Sequence, residues 1–334
     1  MRIFYDPRQQ LHTPSRELHN GDWADYAEVT ARVDSILNAV GTVEALRDYG
    51  ETPIGAVHTP EYIDFLKTVA SRWRDAGRSG DAIGYVWPVV RRRPLKFNRI
   101  DADLGRYSMD ASTPLTDDTW TAAYWNAQSA INSAAAVLAG ERSAFALCRP
   151  PGHHAGPDYL GGYCYLNNIA IAAQHAIDAG HKRVAILDVD YHHGNGTQDV
   201  FWDRGDVLFV SLHADPKTDF PFFWGHADER GEGDGVGATI NIPLPRGTAV
   251  ELYRQALAEA CSAIAAFDAD MLLVSFGADT FSGDPISHFA LQTEDYTAIA
   301  ADIALLRLPT VIVMEGGYAV DELGSNTAAF LAGF

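Results

Sequence analysis

The sequence is short of sulfur and of positive charge. It has three cysteines in 334 residues, Cys148, Cys164 and Cys261. They make no disulfide framework and no CxxC site, and read as small buried apolar side chains. No apolar run is long. Met271 to Phe276 is among the longest, far too short to cross a bilayer. The opening MRIFYDPRQQ lacks the basic start and apolar stretch of a secretory signal, so the expectation is a soluble, cytoplasmic protein with no membrane partner. Lys and Arg number 25 against 44 Asp and Glu, for a formal charge of −19. Such a field repels nucleic-acid phosphates, so no nucleic-acid partner is expected. It attracts cations, including small polyamines and basic peptide tails, although acidity that serves only solubility explains the charge as well.

What is present is an apolar fraction of 47%, enough for a sizeable core, with 21% charged residues. From residue 117 onward helix and strand patterns alternate. Apolar runs at Ala144 to Cys148, Arg183 to Asp188, Val207 to Leu212, Met271 to Phe276 and Thr310 to Met314 read as buried strands. Helices are expected from Asp117 to about Gly140, at 167–179, at 248–267, from Thr293, and near 320–332. Arg2 to Tyr5 reads as a strand. Thr59 caps a helix with Pro60 at its first position, running to about residue 75. Continuous apolar strands separated by helices predict an α/β fold. Its central sheet is expected to be mostly parallel with helices on both faces, in a single domain spanning 1–334. No internal repeat breaks that span. Residues 77–115 are rich in Gly, Pro and Arg and read as an extended loop insertion. That insertion is either a solvated surface loop or, given Tyr85, Trp87 and Phe97, an oligomer contact or site wall.

In open parallel sheets, ligands bind beyond the carboxyl ends of the strands. Four polar motifs fall at such ends. In Asp188-Val-Asp190-Tyr-His192-His193-Gly194-Asn195-Gly196, Asp190 and His192 have the Asp-x-His spacing that turns a carboxylate and an imidazole to one side. They could converge on a metal ion, or merely cap and turn the chain. Asp279, after the strand MLLVSF, is a third ligand candidate or a turn cap. Two aspartates and a histidine leave an open position for water, as in catalytic zinc sites. Paired His153 and His154, in a Pro/Gly loop, could serve as general base and acid near neutral pH, bind metal themselves, or only hydrogen-bond the loop. Tyr318, after Gly316 and Gly317, could donate to an oxyanion or be a half-buried aromatic. His213 ends the strand VLFVSL at the site's floor. The remaining histidines, His12, His19, His58, His175, His181, His226 and His288, lack a supporting motif and read as surface or structural residues.

Taken together, RPPGHHA, GGYCYLNN, LDVDYHHGNGTQ, VSLHAD, GADTFSGDP and EGGY occur in the order of the histone deacetylase family, of the arginase–deacetylase fold. The chain resembles that family closely over about 117–334 and loosely before. Within the family it is most similar to the bacterial acetylpolyamine amidohydrolases, on segment 77–115 and the stretch HADPKTDFPFFWG. The resemblance implies zinc ligands at Asp190, His192 and Asp279, with ferrous iron suited to the same donors. It implies His154 as general base and acid, His153 beside it, and Tyr318 on the substrate carbonyl. Asp188 would stand behind His153 and Asn195 behind His154. Tyr163 and Phe220 would wall an acyl-amine channel, and Asp188 and Ser211 would help hold potassium. In the polyamine branch a carboxylate precedes the helix at Trp120. The aligned residue here is Ser112, with Asp110 and Asp117 out of register. The implied reaction is zinc-dependent hydrolysis of an N-acetyl amide on a small cationic amine, by a homodimer whose segment 77–115 narrows the partner's cleft. Three rivals stand beside it: a protein acetyl-lysine deacetylase, a non-catalytic acyl-amine binding module, and an arginase-like ureohydrolase. The last is disfavoured because the paired histidines occupy the place of a would-be metal ligand.

Overall fold

The runs VAILD, MLLVSF and TVIVM have no polar alternation, so both faces of those strands must be covered. A computed structural model describes residues 1–88 and 96–334 and shows how. The first third contains β1 (Arg2–Phe4), a hairpin of β2 (Arg16–His19) and β3 (Asp22–Asp25), and helices α1 (Ala31–Val40), α2 (Thr52–Gly55), α3 (Pro60–Asp75) and α4 (Ile100–Tyr107). There follow α5 (Thr119–Leu138), β4 (Ser143–Ala146), α6 (Asn168–Asp178), β5 (Val184–Asp188), α7 (Asn195–Val200), β6 (Val207–Ala214) and β7 (Thr239–Leu244). The chain ends with α8 (Val250–Phe267), β8 (Met271–Phe276), α9 (Thr293–Ala304), β9 (Thr310–Met314) and α10 (Val320–Leu331).

Among the described residues, seven strands form one sheet in the order β1-β4-β9-β8-β5-β6-β7. All its neighbouring strands run parallel. The chain moves toward β7 through α5, α6 and α7, then returns through α8 and α9. Right-handed crossovers therefore put the outgoing and returning helices on opposite faces. α5 packs on β4, β1 and β9, whereas α8 packs on β5, β6 and β7. Every residue of β5, β8 and β9 is buried. Each large apolar side chain so covered contributes about 1.5–3 kcal/mol.

Several local features follow from single residues. The Thr59 side chain accepts from the Tyr62 N–H, and Pro60 opens α3. Asn20 and Gly21 take φ values of 51° and 86°, the paired left-handed conformation that closes a two-residue hairpin. Segment 77–115 is not an uninterrupted loop. Ile100, Leu104 and Tyr107 are buried at helical spacing, and α4 packs on α3. Residues 89–95 of that segment lie outside the described residues.

The N-terminal third is tied to the sheet by buried charge. Arg32 of α1 is 1% exposed and pairs with Glu28 at 2.6 Å. Glu28 also holds Arg149 at 3.0 Å. Arg32 donates to the carbonyls of Glu315 and Gly317, at 2.6 and 2.7 Å, and its guanidinium lies 5.0 Å from the Tyr318 ring centre. Removing one partner of such a pair leaves a buried charge uncompensated, typically at about 3–5 kcal/mol.

Candidate active site

The polar loops converge because parallel strands end together. Asp188 closes β5, and the chain then turns Asp190 and His192 toward the end of β8, where Asp279 follows. Ligand-capable atoms of Asp190, His192 and Asp279 all lie within 4.8 Å of one another. His192 Nδ1 is 3.0 Å from Asp279 Oδ2 and 3.4 Å from Asp190 Oδ1. Backbone donors orient these groups: Gly316 N–H to Asp190 at 2.8 Å, His192 N–H to Asp190 at 2.8 Å, and Tyr191 N–H to Asp279 at 2.9 Å. Both carboxylates are fully buried. Among the chain's own groups, burial and Asp190 push the Asp279 carboxyl up to about 7. His153 and His192 hold Asp190 below the usual range against the cost of burial. Two buried carboxylates and an imidazole facing one point suit a divalent cation, which relieves that mutual repulsion.

The paired histidines come from the loop after β4. His153 Nδ1 is 3.0 Å from Asp188 Oδ2, and His154 Nδ1 is 2.7 Å from Asn195 Oδ1. Their ring centres are 4.1 Å apart. Burial opposes charge on both, with opposite net outcomes. Asp188 and Asp190 carry His153 up to about 10, whereas burial, His153 and His192 leave His154 well below the ordinary histidine range. His154 is therefore neutral at neutral pH, as a base must be. Glu315 braces the loop, its carboxylate accepting from the N–H groups of Gly152 at 2.6 Å and His153 at 3.1 Å. Gly162 has φ 53°, and a Cβ there would collide with the His154 ring.

A cavity of about 380 Å³ exposes His154, His192, Tyr163, Phe220 and Tyr318 together. The Phe220 ring stands edge-on to His154 at 5.1 Å, and Tyr163 edge-on to Tyr318 at 5.5 Å. Tyr163 is a non-glycine residue at φ 66°, held by Thr113 through its N–H and by Glu17 through its hydroxyl at 2.9 Å. Asp188 and Ser211 are register partners across β5 and β6, both fully buried and outside the cavity's lining. The Ser211 hydroxyl meets His213 Nδ1 at 2.9 Å. A larger apolar groove, about 740 Å³ between α8 and α9, contains none of these groups.

His19 and His288 are exposed, as expected of surface residues, and they also line the mouth, as do Ser112 and the ion pair of Asp219 with Arg246 at 2.9 Å. Asp110 turns its carboxylate away, onto the N–H groups of Gly162 and Ser112. Asp117 pairs with Arg74 at the surface. Sequence reasoning missed Glu17, His19 and Arg246. The one available signal was Asn20-Gly21, whose hairpin carries the first two.

The sequence model of the histone deacetylase domain matches residues 26–334. The chain belongs to the histone deacetylase family. Among its relatives, acetylpolyamine amidohydrolase 2 of Pseudomonas aeruginosa is 47% identical, covering 100% of this chain and 98% of its own length. The acetylpolyamine amidohydrolase of Mycoplana ramosa is 45% identical, covering 100% and 99%. The crystal structure of acetylpolyamine aminohydrolase from Burkholderia pseudomallei superposes with a TM-score of 0.96 at 41% identity, covering 100% and 98%. The described residues of this family member thus share the fold of that bacterial aminohydrolase.

Proposed function

We propose that this amidohydrolase removes the acetyl group from small acetylated polyamines, releasing acetate and a free amine. The observation that carries the reading is one cavity onto which His154, His192 and Tyr318 all open, with Asp190 and Asp279 directly behind His192. Full-length relatives at 41–47% identity that bear the acetylpolyamine amidohydrolase name supply the substrate class.

Asp190, His192 and Asp279 would hold zinc. When bound, it supplies a Lewis acid that polarises the acetyl carbonyl and acidifies water. His154 takes a proton from the attacking water through Nε2 and returns it to the leaving amine. His153, charged through its contact with Asp188, stabilises the negative charge that develops beside it. Tyr163 and Phe220 wall the methylene chain of the substrate and exclude water from it. Tyr318 donates its hydroxyl proton in a hydrogen bond to the tetrahedral oxyanion. Tyr318→Phe is expected to lower kcat by about 10²–10³ with metal content unchanged, and a fully active variant would remove that role. Asp188 and Ser211, with their buried oxygens, are the proposed seat of a structural potassium ion, outside these steps.

The substrate class is tested by kcat/KM on acetylputrescine, acetylcadaverine, acetylspermidine and an acetyl-lysine peptide. The free polyamines are expected to win; a preferred peptide would overturn the substrate and keep the chemistry. A homodimer belongs to the same proposal. Tyr85, Val86, Trp87 and Phe97 are exposed in segment 77–115, which supports a partner covering them. Light scattering should give twice the chain mass, and a monomer would exclude this arrangement.

A further inference from the structure

The group behind His154 is an amide, not a carboxylate, and an amide has two chemically different ends. Which end faces the imidazole decides which ring nitrogen carries the proton. The structure contains a device that settles the orientation. Helix α7 begins at Asn195, and Asp199 lies one turn later on the same face. Tyr159, from the loop that follows the paired histidines, places its hydroxyl between them. It donates to Asp199 Oδ2 at 2.6 Å and accepts from Asn195 Nδ2 at 3.2 Å.

The directions of these bonds are forced. Burial pushes the Asp199 carboxyl up to about 6, so at neutral pH it is ionised and can only accept. The single hydroxyl proton of Tyr159 therefore goes to Asp199, leaving a lone pair toward Asn195. Asn195 turns its NH2 group to that lone pair and its Oδ1 to His154 Nδ1, 2.7 Å away. The other neighbours of Nδ2, Met109 Sδ and the His154 carbonyl, are both at 3.4 Å and bond weakly. Tyr159 is itself held in place. Its carbonyl accepts from the Gly156 N–H at 3.0 Å, and its ring stacks on Trp224 at 6.4 Å and closes over Gly156, whose Cβ would strike it.

We propose that Tyr159 and Asp199 are positioning residues that act through Asn195 to keep the proton on His154 Nδ1 and present Nε2 as the base. The chain His154–Asn195–Tyr159–Asp199 also brings a carboxylate's charge to the imidazolium at two removes, each bond polarising the next. The proposal rests on His154 as the general base.

The test is steady-state kinetics on acetylputrescine with metal-loaded, full-length enzyme. Tyr159→Phe keeps the ring and its stacking. It is expected to lower kcat about five- to tenfold with KM and metal content unchanged, and Asp199→Ala about as much. In an Asn195→Ala background, Tyr159→Phe should cost less than about twofold, because its route to His154 is already cut. A Tyr159→Phe penalty that stays full-sized there, appears in KM or metal content, or is absent overturns the proposal. If Asn195→Ala fails to fold, the kcat-against-KM split in the single variants decides. An active His154→Ala removes the base assignment and this proposal with it. An inactive His154→Ala beside an unimpaired Tyr159→Phe removes the proposal alone.

Discussion

Asp190→Asn should lose its metal and its activity together. Both oxygens of Asp190 are committed, one accepting from the Gly316 N–H and the other from the His192 N–H. An amide of the same size turns one acceptor into a donor aimed at another N–H and removes the negative charge a divalent ion needs. Asp279 and His192 cannot compensate, since one carboxylate and one imidazole leave the ion a donor and a negative charge short. The expected result is sub-stoichiometric metal by elemental analysis and a fall in kcat/KM of about 10³ or more. That loss is in keeping with the drop in water pKa from about 15.7 to about 7 that zinc provides. Stoichiometric metal with normal turnover would show that Asp190 is no ligand.

His154→Ala should separate chemistry from metal binding. The ring touches none of the backbone bonds that orient Asp190, His192 and Asp279, so metal content and KM are expected to stay near the parent's. kcat should fall by about 10²–10⁴, the usual worth of a positioned base and acid. The contrast with His153 follows from their partners. Asp188, a carboxylate, holds His153 charged, whereas Asn195 offers His154 only a neutral acceptor. This contrast supports the proposed base at His154, and His153→Ala should cost less. An active His154→Ala together with a dead His153→Ala would reverse the two roles.

Much of this was readable before folding, and the physical reason is plain. β8 and β9 begin and end where their apolar runs do, because a strand buried on both faces tolerates no polar residue until it leaves the sheet. Asp279 and Glu315 stand out for that reason. β7 was not read, since TINIPL mixes Asn241 and Pro243 into a strand at the sheet's edge. α4 was hidden by the Gly, Pro and Arg around it. The mouth was the least legible part. Glu17 reaches Tyr163 across 146 residues, with nothing near either to announce the pairing. Arg246 carries no motif, and although Asp219 lies in HADPKTDFPFFWG, a salt bridge at a rim is a product of the fold rather than a pattern in the chain.

The buried bridge from α1 to the loop after β9 bears on how the molecule is made. Glu28 and Arg32 precede the sheet strands from β4 onward in the chain, whereas the two carbonyls that Arg32 grips, at Glu315 and Gly317, follow the last strand. Until those carbonyls are present the guanidinium has only Glu28 of these acceptors, and α1 has no α10 to lie against. The native contacts of α1 are therefore complete only with the chain beyond β9, and so is the guanidinium beside the Tyr318 ring. The oxyanion donor proposed at Tyr318 and the support beside it are thus completed by the same contacts.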